Sequence, residues 1–130
     1  CHCGAIRFQV RLTEGLESAR RCNCSLCRMR GAVAVSAQVG DLEIVRGADV
    51  IREYRFNTGT ARHYFCPTCG IYTHHRRRSN PDQYGVNLAC LKGASPFDLA
   101  AVPVLDGAHH PRDGGGGVAG VLRFEPGPRA

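Results

Sequence analysis

No run of apolar residues in this 130-residue chain approaches the roughly 20 that a membrane-spanning helix requires. The longest, such as Ala32 to Val35, are only strand length. Lysine is almost missing: Lys92 stands alone beside sixteen arginines, so the basic side of the chain is nearly all guanidinium. No internal repeat is visible, and no segment holds a helical pattern beyond about three turns. No histidine has the spacing of a hydrolytic triad. These absences exclude a spanning helix and a repeat array, and they leave a mainly β chain of about one domain, 1–130.

The net charge is +6. That balance alone invites a nucleic-acid reading. Seven cysteines holding two Zn²⁺ as thiolates would bring the total to about +3, so charge decides little. The eight cysteines say more. They fall in tight groups: Cys1 and Cys3; Cys22, Cys24 and Cys27; Cys66 and Cys69; then Cys90 alone. Residues two or three apart can converge on one small cation, whereas disulfide scaffolds spread their bridges across the loops they staple. Metal is therefore favoured over disulfides, and with it a reducing compartment, the cytoplasm. The first residue is Cys1 and not Met, yet nothing in the chain resembles a secretion signal. Its pairing with Cys3 also argues against a lipid-modified cysteine.

Strand patterns recur along the chain. In AIRFQVRL, Ile6, Phe8, Val10 and Leu12 alternate with Arg7, Gln9 and Arg11. GAVAVSAQV, LEIVRG and VIREYRFNT follow, and ARHYFC leads into the knuckle CPTCG, from which IYTHH continues as in a zinc ribbon. After the turn Ser79-Asn80-Pro81-Asp82, YGVNLACL reads as another strand. Ala94 to Ala101 is expected to form a short helix after Ser95-Pro96. The stretch 106–120 reads as a flexible glycine-rich loop, and VLRFE as a final edge strand.

Two metal groups are expected. Cys1 and Cys3 would join Cys66 and Cys69 in a closed four-thiolate site, because each pair is too short to complete a tetrahedron alone. Cys22, Cys24 and Cys27 offer three thiolates within six residues. That group is either an open catalytic site or a second closed one, with Cys90 or a histidine as fourth ligand. Three thiolates on Zn²⁺ leave a charge of −1, better suited to exchanging a soft sulfur ligand than to activating water.

Other residues read more plainly. His63 sits in a strand pattern and is expected to be half-buried. His74 and His75, beside Arg76-Arg77-Arg78, read as solvated surface, and the arginine run reads as a solvated loop face before it reads as a phosphate or acidic-substrate contact. His109-His110-Pro111 lies in the glycine-rich loop, and His2 points outward. Tyr54, Phe56, Tyr64 and Phe65 read as core rather than as a base-stacking platform, so nucleic acid is not indicated as a partner.

The segments CHCGAIRF, CNCSLCRMRG, YRFNTGTARHYFCPTCGIY and YGVNLACL, in that order, resemble the glutathione-dependent formaldehyde-activating enzyme family, which includes centromere protein V. The match runs over about 1–91. The resemblance implies a β-tent fold of small antiparallel sheets around a zinc-ribbon-like centre. It implies a structural zinc on Cys1, Cys3, Cys66 and Cys69, and a catalytic zinc on Cys22, Cys24 and Cys27. It further implies a carbon–sulfur lyase that joins glutathione and formaldehyde into S-hydroxymethylglutathione or splits that adduct, with glutathione as co-substrate. Arg28, Arg30 and Arg62 are candidates to hold the carboxylates of glutathione. The tail from Lys92, with VPVLDGAHHP, departs from the glutathione-using members. Two rivals stand beside this reading: a zinc-stapled binding module for an acidic partner, and a methionine sulfoxide reductase-like redox protein with Cys90 as nucleophile.

Overall fold

A computed structural model describes residues 1–109 and 116–128. Among these residues, nine strands form two sheets. The larger contains β1 (Arg7–Leu12), β3 (Ala34–Arg46), β4 (Arg52–Tyr54), β5 (Arg62–Phe65), β6 (Tyr72–Arg76) and β7 (Gln83–Asn87). Its order is β1-β3-β7-β6-β5-β4, and every pairing is antiparallel. The smaller sheet places β2 (Arg21–Cys22) parallel to β8 (Ala101–Leu105), which pairs antiparallel with β9 (Val118–Arg123). This is the mainly β, tent-like architecture that the sequence predicts. No helix among the described residues is long and apolar enough to cross a membrane.

The valine-rich segment and LEIVRG merge into one strand of 13 residues, β3. Its first half pairs with β7 and is buried, while its second half pairs with β1 toward the edge. The same strand can therefore be continuous in backbone and yet change from an apolar to an alternating pattern. Ile6, Val35, Val86 and Leu88 are fully buried, and the last three cluster with Ala19, Val33, Ala37 and Val102 across both sheets.

Four local expectations need correction. Ala94 to Ala101 forms only a 3₁₀ turn, Pro96–Asp98, capped by Ser95, because Ala101 already belongs to β8. YGVNLACL is a strand only as far as Asn87; Asn87 then caps a 3₁₀ turn, Leu88–Cys90, by accepting from the Ala89 N–H. The stretch 106–120 is not one loop: Gly107–His109 is a 3₁₀ turn and β9 begins at Val118. Its middle, with His110 and Pro111, lies outside the described residues. VLRFE does enter an edge strand, β9. Tyr54 is not core: it is 50% exposed, and its ring heads a stacked file with Phe56, His63 and His75.

Candidate metal centre and adjoining cavity

The N-terminal knuckle and the turn between β5 and β6 bring four sulfurs together. Cys1 Sγ lies 3.8 Å from Cys3 Sγ, which lies 3.7 Å from Cys66 Sγ. With Cys69, all four fall within 4.8 Å of one another. A tetrahedron with Zn–S bonds of about 2.3 Å has edges of roughly 3.8 Å, whereas a disulfide would need about 2.05 Å. The donor set and spacing thus fit a zinc ion. Backbone N–H groups support the sulfurs: Ile6 donates to Cys1 Sγ, and the N–H groups of Cys3 and Ile71 pull the Cys69 thiol down to about 6. His2 is exposed between its two neighbours, as expected.

The second group is built by a strand end and a one-and-a-half-turn helix. Cys22 closes β2, Cys24 caps α1 (Ser25–Arg30), and Cys27 lies in its first turn. Cys24 Sγ accepts from the Cys27 N–H at 3.3 Å, and Cys22 Sγ from the Cys24 N–H at 3.4 Å. The helix stops at Gly31, whose left-handed backbone (φ 71°) lets its N–H return to the Cys27 carbonyl. Hydrogen bonds from the Cys22 and Cys27 thiols push the Cys24 thiol strongly down, while its bond to Cys24 pushes the Cys22 thiol up. The three sulfurs lie within 4.8 Å of one another, and no fourth His, Cys, Asp or Glu ligand joins them among the described residues.

These thiols line a cavity of about 630 Å³. Among the described residues, its wall carries Arg20, Arg21, Arg28, Arg30, Arg77 and Arg78 against one carboxylate, Asp106. Arg30 reaches inward. Its guanidinium donates to Cys27 Sγ at 3.4 Å, bonds His63 Nδ1 at 3.0 Å and lies 3.7 Å above the Tyr72 ring. Because an arginine only donates, His63 Nδ1 accepts and its proton sits on Nε2, which has no partner among the described residues. Burial, aided by Arg30, pulls His63 down to about 4.

The arginine run and its histidines are not a solvated face. His74 is 2% exposed between the rings of Tyr64 and Tyr84, and burial lowers it to about 4. His75 lines the cavity, bonded through Nδ1 to the Tyr72 hydroxyl, with its ring flat against Gly85; a methyl group at Gly85 would lie 2.3 Å from His75 Cε1. Arg76 donates to the Pro81 carbonyl and Arg77 to Gln83 Oε1. The reason is the β6–β7 pairing, which draws this segment into the centre of the large sheet. His63 is buried rather than half-buried, at 7%.

Among the sequence candidates, Arg28 and Arg30 reach the cavity, whereas Arg62 pairs with Glu53 and does not line it. Cys90 joins neither sulfur group and points to the Tyr72 carbonyl; burial raises its thiol. Of the residues that sequence reasoning misses, Asp106 and Gly107 come from the tail, and Arg20 and Asn23 from beside the middle cysteines. Asn23 donates to Asp106 Oδ1 and accepts from the Ala108 N–H, holding the turn at Gly107 against the thiols. A methyl group on Gly107 would lie 2.3 Å from Cys22 Sγ. Arg77 was placed in solvent. Only Asn23, inside the cysteine cluster, carried a local signal.

A profile of the glutathione-dependent formaldehyde-activating enzymes matches residues 1–102. The crystal structure of a Rhodobacter sphaeroides protein is similar at 58% identity and a TM-score of 0.79, over 80% of this chain and 95% of that one. With a match over most of its length, the chain belongs to the glutathione-dependent formaldehyde-activating enzyme family.

Proposed function

We propose that this protein is a zinc-dependent carbon–sulfur lyase-type enzyme that joins a small aldehyde to a thiol, or splits the adduct. For formaldehyde the reaction is RSH + CH₂O ⇌ RSCH₂OH: the S–H bond breaks, a C–S bond forms, and the proton moves to the aldehyde oxygen. One observation carries the reading: three thiols, with no fourth ligand among the described residues, stand on the wall of a cavity large enough for a small peptide-like thiol. Cys22, Cys24 and Cys27 would hold the catalytic zinc. When bound, that ion supplies an open position with affinity for sulfur. Cys1, Cys3, Cys66 and Cys69 would hold a structural zinc, giving two per chain, and glutathione is the natural first co-substrate to try.

The chain's own groups have definable roles. Arg30 sets a fixed positive charge beside Cys27 Sγ, which favours sulfur arriving as thiolate. Tyr72 and the neutral His63 and His75 supply the rest of the inner wall, with their protons fixed by internal hydrogen bonds rather than by solvent. The rivals draw less support. Cys90 lies outside the cavity lining with a raised thiol, which disfavours a redox nucleophile. Arg77 and Arg78 line the cavity and not an outer face, which disfavours docking of an acidic macromolecule. Thiolate clusters of this kind persist in a reducing compartment, so the cytoplasm is the proposed location.

The test is exchange NMR on carbon-labelled formaldehyde with glutathione. Adduct formation and breakdown should run faster with zinc-loaded protein than without it, and the gain should vanish in Cys24→Ser. Equal rates with and without protein would sink the assignment.

A further inference from the structure

We infer that His75 is a catalytic residue of the proposed reaction: the lone pair on its Nε2 takes the proton of the incoming thiol and hands it to the aldehyde oxygen. When the adduct splits, the same nitrogen takes the hydroxyl proton and returns it to sulfur. The inference rests on the thiol-handling reading above and adds a proton carrier to it.

Three strands fix the ring. His75 lies on β6, in register with Gly85 of β7 on one side and His63 of β5 on the other. Gly85 has no side chain, so the imidazole lies against its backbone, and the His63 ring stacks with it at 5.2 Å between centroids. The protons can then be placed by counting donors. The Tyr72 hydroxyl has one hydrogen. It lies 3.1 Å from the Gly85 carbonyl, which can only accept, so the hydrogen goes there. The Tyr72 oxygen also meets His75 Nδ1 and, with its own hydrogen spent, accepts from Nδ1–H. His75 therefore carries its proton on Nδ1 and keeps a lone pair on Nε2. His63 is the opposite tautomer, because Arg30 donates to its Nδ1.

This sets His75 apart in the cavity that it lines with Cys22, Cys24 and Cys27. Six arginines share that wall, and a guanidinium only donates. A thiol or a carbinol brings a proton that must be taken up, and Nε2 is an acceptor held ready for it. Burial, then the charges of Arg30, His63, Arg20 and Arg77, hold the ring neutral well below the ordinary imidazole pKa. The ring is thus unprotonated before the step, and a proton accepted beside these cations is passed on rather than kept. Atoms and electrons balance. In the joining direction the S–H pair stays on sulfur and becomes the C–S bond. The C=O π pair moves to oxygen, and that oxygen takes the proton from Nε2. Splitting reverses each transfer.

Two measurements on the zinc-loaded protein test this. NMR of nitrogen-labelled histidine reads the tautomers directly: His75 should carry its proton on Nδ1 and His63 on Nε2. A proton on His75 Nε2 overturns the inference, whatever the variants do. Exchange NMR with carbon-labelled formaldehyde and glutathione reads the step, and His75→Ala should slow catalysed exchange about 100-fold or more. Added imidazole should restore part of that loss, beyond any effect it has on the parent. Sulfur-to-cobalt absorption in the cobalt-substituted variant should still respond to glutathione, so that the thiol arrives and only the proton step is lost. Unchanged exchange in His75→Ala, a loss that imidazole leaves untouched, or a cobalt band that no longer responds each overturns the inference. No catalysed exchange in the parent defeats the lyase reading itself, a failure visible before any variant is made.

Discussion

Gly107 packs against Cys22 so closely that a methyl group on it would lie 2.3 Å from the sulfur and 3.1 Å from Cys24 Cβ. The contact joins residues 85 positions apart, and it is locked by Asn23, which bonds both Asp106 and the Ala108 N–H. The tail therefore sets the position of the thiols as well as walling the cavity.

Gly107→Ala should displace Cys22 Sγ and weaken metal binding at the middle group by roughly 10- to 100-fold, the range seen when supporting contacts of a ligand are lost. Competition with a chromophoric chelator measures this. Unchanged affinity at the middle group would mean that the turn moves freely and has no part in shaping the site.

The two sulfur groups should differ in what they stabilise. Cys69→Ser removes one arm of the staple between the N-terminal knuckle and the β5–β6 turn, and should lower Tm by roughly 10 °C or more. Cys24→Ser keeps an N-cap acceptor for the Cys27 N–H, so its Tm should move by only a few degrees while activity is lost. Differential scanning calorimetry separates them, and equal losses would argue that both sites are structural.

Arg30→Met should remove the cation beside His63 and Cys27 and leave His63 Nδ1 without its donor, at a cost of about 1–3 kcal/mol. His63 should titrate above its present value near 4 yet stay below 6.5, because burial, the larger cause, persists. Histidine NMR titration gives the answer, and an unmoved His63 would contradict the assigned contact.

Acid should destabilise the fold through His74. Its ring is neutral in the folded chain down to about 4, while an unfolded chain takes up the proton near 6.5. The stability this confers is complete above about 6.5 and drains away as pH falls toward 4. His74→Phe keeps an aromatic ring between Tyr64 and Tyr84 and removes the proton site, so its loss of stability from pH 7 to pH 5 should be smaller than in the parent. Urea unfolding at the two pH values measures the difference, and parallel losses would exclude His74 as the cause.

Cysteine spacing and strand alternation are enough to read the mainly β fold and the two sulfur groups, and the resemblance of four ordered motifs points to the family. Those signals are local: CPTC must form a knuckle wherever it sits, and Ile6, Phe8, Val10 and Leu12 share a face in any strand. What the sequence left open is decided by pairing across distance. His74, His75 and Arg77 read as surface because a charged, polar run normally is, yet pairing of β6 between β5 and β7 pulls them inward, where rings and Gly85 receive them. The tail looked like a loop because glycine and proline give no period, yet the parallel pairing of β2 with β8 sets Leu105 beside Cys22 and brings Gly107 onto the sulfur. By itself the sequence determined which residues hold sulfur and where strands run; only the tertiary structure decided which arginines enclose those sulfurs, because cavity walls are made by long-range register, which no local pattern encodes.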